Sequence, residues 1–226
     1  MLKYPFVDIH THSEQIPGDV VTIRNVFYND ALSYKFENDR FYSVGLHPWF
    51  IRDDEKTFKI KILEEIASRH FVLAIGETGL DSMADAEVEL QTRVFEMQLF
   101  LANKLRKPVI VHCENMISHF ISMVRKNFFK VPVIFHGYNF NIQDTTELIR
   151  KNCYFSFGSA LLKDNSDGAE ILGQIPKESI FFETDESGMS IGKIYEAAAQ
   201  ILNTSTDQLK SITGDNFKRC FFPEVK

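Results

Sequence analysis

The 226-residue chain has few cysteines and no long apolar run, and each absence narrows its class. Cys113, Cys153 and Cys220 lie far apart, and no CxxC pair occurs. This sparse, odd set predicts reduced thiols in a cytoplasmic protein and argues against a disulfide framework. No apolar run approaches the roughly 20 residues that cross a bilayer, and the N-terminus lacks the pattern of a signal peptide. We therefore expect no membrane association.

Blocks of like charge, internal repeats, low-complexity tracts and linkers are also missing. The formal net charge is −6, from 25 basic and 31 acidic residues. This balance argues against binding nucleic acid through a broad basic surface, although an enzyme can still grip phosphates through metal ions. With 44% hydrophobic residues and 21 phenylalanines, the chain can bury a large core. We expect a single domain over residues 1–226 and no obligate protein partner.

Eight strand-like runs are present, and most of them alternate with helical patterns. The strands are expected at residues 4–12, 20–27, 41–46, 71–76, 108–112, 131–136, 153–157 and 179–184. Helices are expected at residues 53–69 with Asp53 as the cap, 87–106, 142–151, 168–174 and 191–202. Asn115 is expected to cap another helix, and Ser205 with Gln208 a last short one. The pattern of residues 29–39 is ambiguous, and a short helix is one interpretation of it.

The alternation of strands and helices predicts a parallel sheet that is buried on both faces. Eight such units favour closure into a (β/α)₈ TIM barrel over an open sheet. The chain is near the low end of the size range for that fold, which typically has ~250 residues and a lower bound of about 200. The part between the second and third strands fits this interpretation least well.

Residues of metal-ligating type stand at the ends of five of the predicted strands. His10 and His12 are two apart on a strand, so they point to the same face and make half of a metal site. The others are Glu77 after the fourth strand, His112 and His136 at the ends of the fifth and sixth, and Asp185 after the eighth. The carboxyl ends of barrel strands share one face, which holds the active site. Four imidazoles and two carboxylates suit zinc, manganese or magnesium, and two such ions are possible.

Each of these residues, taken alone, has a more ordinary interpretation. A single histidine at a strand end is more often a hydrogen-bonded loop residue than a ligand. An acidic residue after a strand is often a helix cap. The joint pattern is much harder to obtain by chance. His70 and His119 do not belong to it, and we expect both at the surface or at an edge.

The ordered set of motifs resembles the TatD family of metal-dependent hydrolases, in the amidohydrolase-like (β/α)₈ superfamily. The matching segments are 8–12, 44–48, 75–81, 108–112, 134–136, 182–185 and 216–221. The resemblance spans almost the whole chain. It implies a hydrolase with two divalent metal ions, usually described as a deoxyribonuclease, with DNA or another phosphodiester as its substrate.

The resemblance also implies a set of ligands. By position, the residues of the first metal are His10, His12, Glu77 and Asp185, and those of the second are Glu77, His112 and His136. Glu77 stands where the superfamily has a bridging carbamylated lysine. Asp185 is expected to take the proton of the attacking water as well as to ligate, so Glu77 and Asp185 are the catalytic candidates.

Three further residues are weaker candidates. Glu183 can orient a ligand histidine, as metal sites usually require, or be a partner in an unrelated core hydrogen bond. His47 can touch a substrate phosphate or simply be a turn residue before Pro48. Trp49 can stack on a base, although packing of an aromatic loop residue is the favoured interpretation.

The substrate-contacting rim departs from the family pattern at three places. Glu114 stands where the family often has an arginine. Gly137, Tyr138 and Asn139 replace a Phe-Ser-Gly-like loop, and Glu186 replaces a common proline. These departures favour, as an alternative, a hydrolase of small esters, lactones or amides on the same barrel. The pattern also leaves open a non-catalytic descendant that binds metal or a partner, and a one-metal protein that uses only the paired histidines.

Overall fold

The computed structural model describes residues 4–15, 17–52, 58–151, 153–163 and 167–223. The strands in this part of the chain are β1 (Phe6–Thr11), β2 (Val20–Phe27), β3 (Phe41–Gly45), β4 (Val72–Asp81), β5 (Val109–Glu114), β6 (Val133–Phe135), β7 (Cys153–Phe157) and β8 (Ile180–Phe182). The helices are α1 (Tyr28–Ala31), α2 (Ile60–Ala67), α3 (Val88–Leu105), α4 (Ile117–Arg125), α5 (Ile142–Ile149), α6 (Asp167–Leu172), α7 (Ile191–Ile201) and α8 (Thr206–Phe221). Among the described residues, no helix combines the length and the apolar character needed to cross a membrane.

The eight strands form one sheet in chain order, each beside its sequence neighbour. The pairs β1–β2, β3–β4, β4–β5 and β7–β8 are parallel. Thr11 and Asp185 form a further parallel bridge, which places the segment after β8 beside the end of β1. From β2 onward each strand is followed by a helix. The prediction of a (β/α)₈ TIM-barrel fold is therefore confirmed.

β4 is longer than its sequence pattern indicates. It continues through Gly76 and Glu77 to Asp81, and all ten of its residues are buried. Gly79 pairs with His112 of β5, and a Cβ at Gly79 would lie 1.8 Å from the carbonyl oxygen of His112. Glycine is therefore required at this position, where the two strands approach closely, and β4 continues through it.

The helix ends differ from their predicted positions at three places. The expected cap at Asp53 lies outside the described residues, and α2 begins at Ile60. The prediction that Asn115 caps a helix is wrong. Asn115 has a φ of 56°, in the left-handed region, and its side-chain amide Nδ2 donates to Ser82 Oγ instead. The Ser205–Gln208 capping box is confirmed, but α8 after it has 16 residues and is not short.

The described chain divides into two compact units. The first contains the residues up to Arg24 together with those from Phe135 onward, and the second contains residues 25–134. A single domain over the whole chain stays a prediction.

In the first unit, α7 and α8 hold the two strands that carry site residues. The hydroxyl of the buried Tyr195, on α7, donates to the carbonyl of Val7 and accepts from its amide. It also lies 2.7 Å from Thr213 Oγ1, on α8. The side-chain amide of Asn216, on α8, donates through Nδ2 to the carbonyls of Lys177 and Ile180, both at 2.9 Å. These bonds join β1 to α7 and the start of β8 to α8.

In the second unit, two buried glutamines of α3 fix the ends of β3 and β4. Gln98 accepts from the Leu46 amide at 2.8 Å and donates to the Leu46 carbonyl and to Thr78 Oγ1. Gln91 accepts from the Asp81 amide and donates to the Asp81 carbonyl. A buried polar side chain whose donors and acceptors are all used is a rigid support, because each lost bond would leave a polar group unpaired.

Candidate metal centre

The first cluster lies in the first unit and consists of His10, His12, His136 and Asp185. One ligand atom from each of His10, His136 and Asp185 lies within 4.8 Å of the others. Asp185 Oδ1 is 3.6 Å from His10 Nε2 and 3.5 Å from His12 Nε2. The His10 side chain is fully buried, whereas that of Asp185 is 42% exposed. The carboxylate is thus more accessible to water than the histidine beside it.

The backbone of the Asp185 segment is tied to β1. The Asp185 amide donates to the His10 carbonyl at 3.0 Å, and the His12 amide donates to the Asp185 carbonyl at 3.3 Å. Asp185 has a φ of 49°, in a left-handed conformation that aspartate tolerates better than most residues. These bonds fix the spacing between the histidine pair and the carboxylate.

Asp8 joins the same two segments from inside the sheet. Its carboxylate accepts from the amide and the hydroxyl of Thr184, at 3.0 and 2.7 Å. Burial raises the pKa of Asp8 to about 7, although the hydrogen bonds from Thr184 act in the opposite direction. Asp8 therefore supports the first cluster without belonging to it.

Glu183 lies against His136, the residue type that it was expected to orient. Its Oε1 accepts from the Gly137 amide at 2.6 Å and lies 3.6 Å from His136 Nδ1. The side chain is 1% exposed. Glu183 therefore holds the backbone that carries His136, and its predicted role in orienting the ring stays a prediction.

The second cluster lies in the second unit and consists of His47, Glu77 and His112. One ligand atom from each lies within 4.8 Å of the others. Glu77 Oε1 is 3.2 Å from His47 Nε2 and 3.0 Å from His112 Nδ1. The Glu77 backbone is held by Asn25, whose Oδ1 accepts from the Glu77 amide. His47 Nδ1 accepts from the Trp49 amide, which directs Nε2–H to Glu77; contact between His47 and a substrate phosphate stays a prediction.

Asp81 belongs to this region as well, although no role for it was predicted from the sequence. Its Oδ2 lies 2.9 Å from His112 Nε2 and accepts from Trp49 Nε1 at 2.6 Å, while its Oδ1 accepts from the Met83 amide. Burial raises the pKa of Asp81, but these hydrogen bonds outweigh it, and the pKa is lowered overall. An ionised carboxylate at Nε2 keeps the ring proton there, so Nδ1 is the nitrogen available for a metal. The missed signal was the continuation of β4 to Asp81.

All six predicted ligands therefore belong to one of two clusters. His10, His12, His136 and Asp185 are in the first, and Glu77 and His112 are in the second, where His47 joins them. Imidazole nitrogens and carboxylate oxygens are the donors that zinc and manganese take, and three protein donors with an open position are typical of catalytic metal sites. The donor sets fit divalent cations. The predicted division of the ligands between two ions stays a prediction.

A cleft of about 400 Å³ reaches the first cluster within the first unit. It is lined by Gly137, Tyr138, Asn139, Phe157, Gly158, Ser159, Ala160, Leu161, Gly168, Glu183, Asp185, Glu186 and Ser187. Three of these described lining residues are acidic, and none is a lysine or an arginine. The loop of residues 137–139, which departs from the family pattern, thus forms one wall of this cleft.

The fold and its histidine–carboxylate clusters at strand ends are typical of the metal-dependent hydrolases built on (β/α)₈ barrels. A family model described as TatD related DNase matches residues 20–222. The chain belongs to this TatD family of metal-dependent hydrolases, as the sequence motifs indicated.

Two relatives and one solved structure illustrate the match. The uncharacterized metal-dependent hydrolase YabD of Bacillus subtilis is 25% identical over 79% of this chain and 76% of its own length. The mouse protein named "Putative deoxyribonuclease TATDN3" is 28% identical over 79% of this chain and 68% of its own. The crystal structure of the TatD homolog YJJV from Escherichia coli K12 has a TM-score of 0.80, with 18% identity over 96% of this chain and 97% of that one. At this identity, the structural match supports the fold alone.

Proposed function

We propose that this metal-dependent hydrolase is a phosphodiesterase that cleaves DNA with two divalent metal ions. The observation that carries the proposal is the presence of two histidine–carboxylate clusters, each with three ligand atoms within 4.8 Å of one another. The description of the family model and the name of the mouse relative support DNA as the substrate. The cytoplasmic location expected from the cysteines belongs to the same proposal; all three cysteines are free thiols.

The six residues predicted from the sequence would hold the metal ions: His10, His12, Glu77, His112, His136 and Asp185. When bound, a pair of divalent cations polarises the scissile phosphoryl group and lowers the pKa of a water towards 7. Asp185 would take up the proton of the attacking water, because its carboxylate is 42% exposed and lies beside His10 and His12. Asp81 keeps the proton of His112 on Nε2, and Glu183 holds the backbone that carries His136.

The proposal is tested by replacing His10 and His12 together with alanine. Metal per chain is counted by mass spectrometry, and hydrolysis of single- and double-stranded oligonucleotides is measured with manganese or magnesium. We expect the metal count to fall from two to at most one, and hydrolysis to fall at least about a hundredfold, because even residues behind the ligands are worth ten- to a hundredfold.

The matched control is His119→Ala, since His119 is an exposed histidine of α4 outside both clusters. This variant should keep the metal and the activity of the wild type. Unchanged metal content and unchanged hydrolysis in the His10/His12 variant would show that the proposed mechanism is wrong.

A second candidate function is the hydrolysis of small esters, lactones or amides. The cleft at the first cluster favours it, because three acidic residues and no lysine or arginine line it among the described residues. Glu114, exposed at the end of β5, adds a further negative charge where the family often has an arginine. A panel of small substrates, compared with oligonucleotides at the same manganese concentration, separates the two functions by their kcat/KM values.

A further inference from the structure

Trp49 presents a large aromatic surface to solvent beside the second cluster. It is the one tryptophan in the sequence, and it is 55% exposed. The favoured interpretation of the sequence was packing of this ring in the loop. The structure instead leaves more than half of the residue accessible, in the short turn of residues 48–50 that follows β3.

The indole is exposed but held in place. Its Nε1 donates to Oδ2 of Asp81 at 2.6 Å, and Asp81 is 1% exposed. A hydrogen bond to an ionised, buried carboxylate is among the stronger hydrogen bonds in proteins. The anchored atom is on the edge of the ring, so the bond restricts the orientation of the indole without covering either face.

The same carboxylate oxygen fixes the indole relative to a predicted metal ligand. Asp81 Oδ2 also lies 2.9 Å from His112 Nε2. The ring centres of Trp49 and His112 are 6.5 Å apart, with their planes at 68°, and those of Trp49 and His47 are 5.4 Å apart at 88°. Both contacts are edge-to-face, so neither imidazole is stacked on the indole.

A second exposed apolar side chain is tied to Asp81. Met83 is 77% exposed, and its backbone amide donates to Asp81 Oδ1 at 2.7 Å. Exposed apolar side chains next to a site are typical of ligand-binding surfaces. The rim of the second cluster therefore presents an aromatic and an aliphatic apolar side chain to solvent at this point.

We propose that Trp49 is a stacking platform for a nucleobase of the substrate, next to the phosphodiester that is cleaved. This inference rests on the proposed function and adds to it how the substrate is held. Stacking on an aromatic ring accepts any base and needs no positive charge. It is therefore a suitable source of affinity for a chain with a net charge of −6 and an acidic cleft.

The direct test uses the fluorescence of Trp49, which as the sole tryptophan reports on this site alone. The metal-loaded enzyme is titrated with a phosphorothioate oligonucleotide, which resists cleavage, and with an oligonucleotide of the same length whose sugars carry no bases. We expect quenching by the first and little or none by the second. Equal quenching by both, or none by either, would overturn the inference.

The kinetic test compares Trp49→Ala and Trp49→Phe on normal and abasic oligonucleotides. Loss of stacking should raise the KM of Trp49→Ala for the normal substrate about five- to a hundredfold, and Trp49→Phe should retain part of the binding. The abasic substrate should be cleaved at the same rate by all three proteins. Phe100→Ala removes an aromatic ring of α3 that is 71% exposed, and serves as the control.

The outcomes separate this inference from the proposed function. A fall in kcat/KM that is equal for normal and abasic substrates would mean that Trp49 only supports Asp81 and His112, and would contradict stacking. Cleavage of normal and abasic DNA by the wild type with the same KM would contradict it as well, while leaving the nuclease function intact. Absence of cleavage of either substrate by the wild type would overturn the nuclease function, and the stacking proposal with it.

Discussion

Two of the histidines in the clusters have a buried carboxylate behind them. Asp81 Oδ2 lies 2.9 Å from Nε2 of His112, and Glu183 Oε1 lies 3.6 Å from Nδ1 of His136. A carboxylate hydrogen-bonded to a ring nitrogen, as Asp81 is to His112, fixes the tautomer and the orientation of an imidazole and makes it a better donor. For Glu183 and His136, whose atoms are 3.6 Å apart, this role stays a prediction. The metal affinity of such a site depends on residues that never touch the ion.

Replacing Asp81 with asparagine tests this dependence. The amide removes the negative charge that holds the proton on His112 Nε2, while the volume of the side chain stays the same. We expect the affinity of the weaker-binding metal to fall about ten- to a hundredfold. Competition with a chromogenic chelator measures it.

The control for this substitution is Asp85→Asn, because the Asp85 side chain is 94% exposed. It changes the net charge by the same amount and should leave both metal affinities unaltered. Equal metal binding by Asp81→Asn and the wild type would contradict the supporting role of Asp81.

At the scale of residues, the sequence predicts candidate ligands but says much less about the side chains that hold them in place. His10, Glu77, His112 and Asp185 are identifiable as candidates because their side-chain types and their places after strands are both visible in the sequence, and each lies in one of the clusters. Asp81 is not identifiable in this way, because its role depends on which strand lies beside it. For His47 the sequence leaves open a contact with a substrate phosphate and a turn before Pro48, since nothing in it shows that Nε2 faces Glu77.

At the scale of elements, runs with clear ends were predicted well. β2 and β7 have the predicted bounds, and α3 differs from its predicted range by one residue at each end. The sequence predicts an end of β4 at Gly76 because the continuous apolar run stops there, whereas the strand continues to Asp81. The long α8 was missed beyond its cap because its buried residues include Thr213 and Asn216, which do not form an apolar stripe.

Asn216 joins α8 to the strand that precedes Asp185, and its replacement tests that connection. Asn216→Ala leaves the carbonyls of Lys177 and Ile180 without their present donor, so the free energy of unfolding should fall by about 1–3 kcal/mol. Urea unfolding followed by circular dichroism measures the change. The metal count of the folded variant should remain that of the wild type.

A neighbouring position supplies the comparison for Asn216→Ala. Asp215 has an exposed side chain, and its pairing with Lys218 at 3.9 Å is of the kind that contributes little to stability. Asp215→Ala should therefore unfold within about 0.5 kcal/mol of the wild type. A loss of stability as large as that of Asn216→Ala would mean that any substitution in this part of α8 destabilises the protein, and that the hydrogen bonds of the Asn216 side chain are not the cause.

At the scale of the whole molecule, the alternation of strands and helices was enough to predict the barrel fold. The formal charge of −6 was the other global property that could be used directly. A protein that neutralises many phosphates with lysine and arginine loses affinity steeply as salt is added, because counterions are released. If DNA is held through metal ions and an aromatic ring, as we propose, this acidic chain should make few such contacts.

We therefore expect the affinity for DNA to depend only weakly on salt. The slope of log K against log salt concentration should be shallower than about −2, which corresponds to roughly two neutralised phosphates. Fluorescence anisotropy with a phosphorothioate oligonucleotide, between low and moderate salt, measures it. A slope as steep as that of proteins with six or more phosphate contacts would indicate a basic surface that the charge balance does not suggest.

The bridge between Thr11 and Asp185 also matters for how the protein is made. The histidine pair leaves the ribosome early, but the backbone that fixes its spacing is 174 residues further along the chain. Contacts of such long sequence separation form late, since the intervening chain must first be ordered. A nascent polypeptide cannot complete the first cluster until the segment after β8 has also been translated, so the metal site that we propose there forms only after this second segment has emerged.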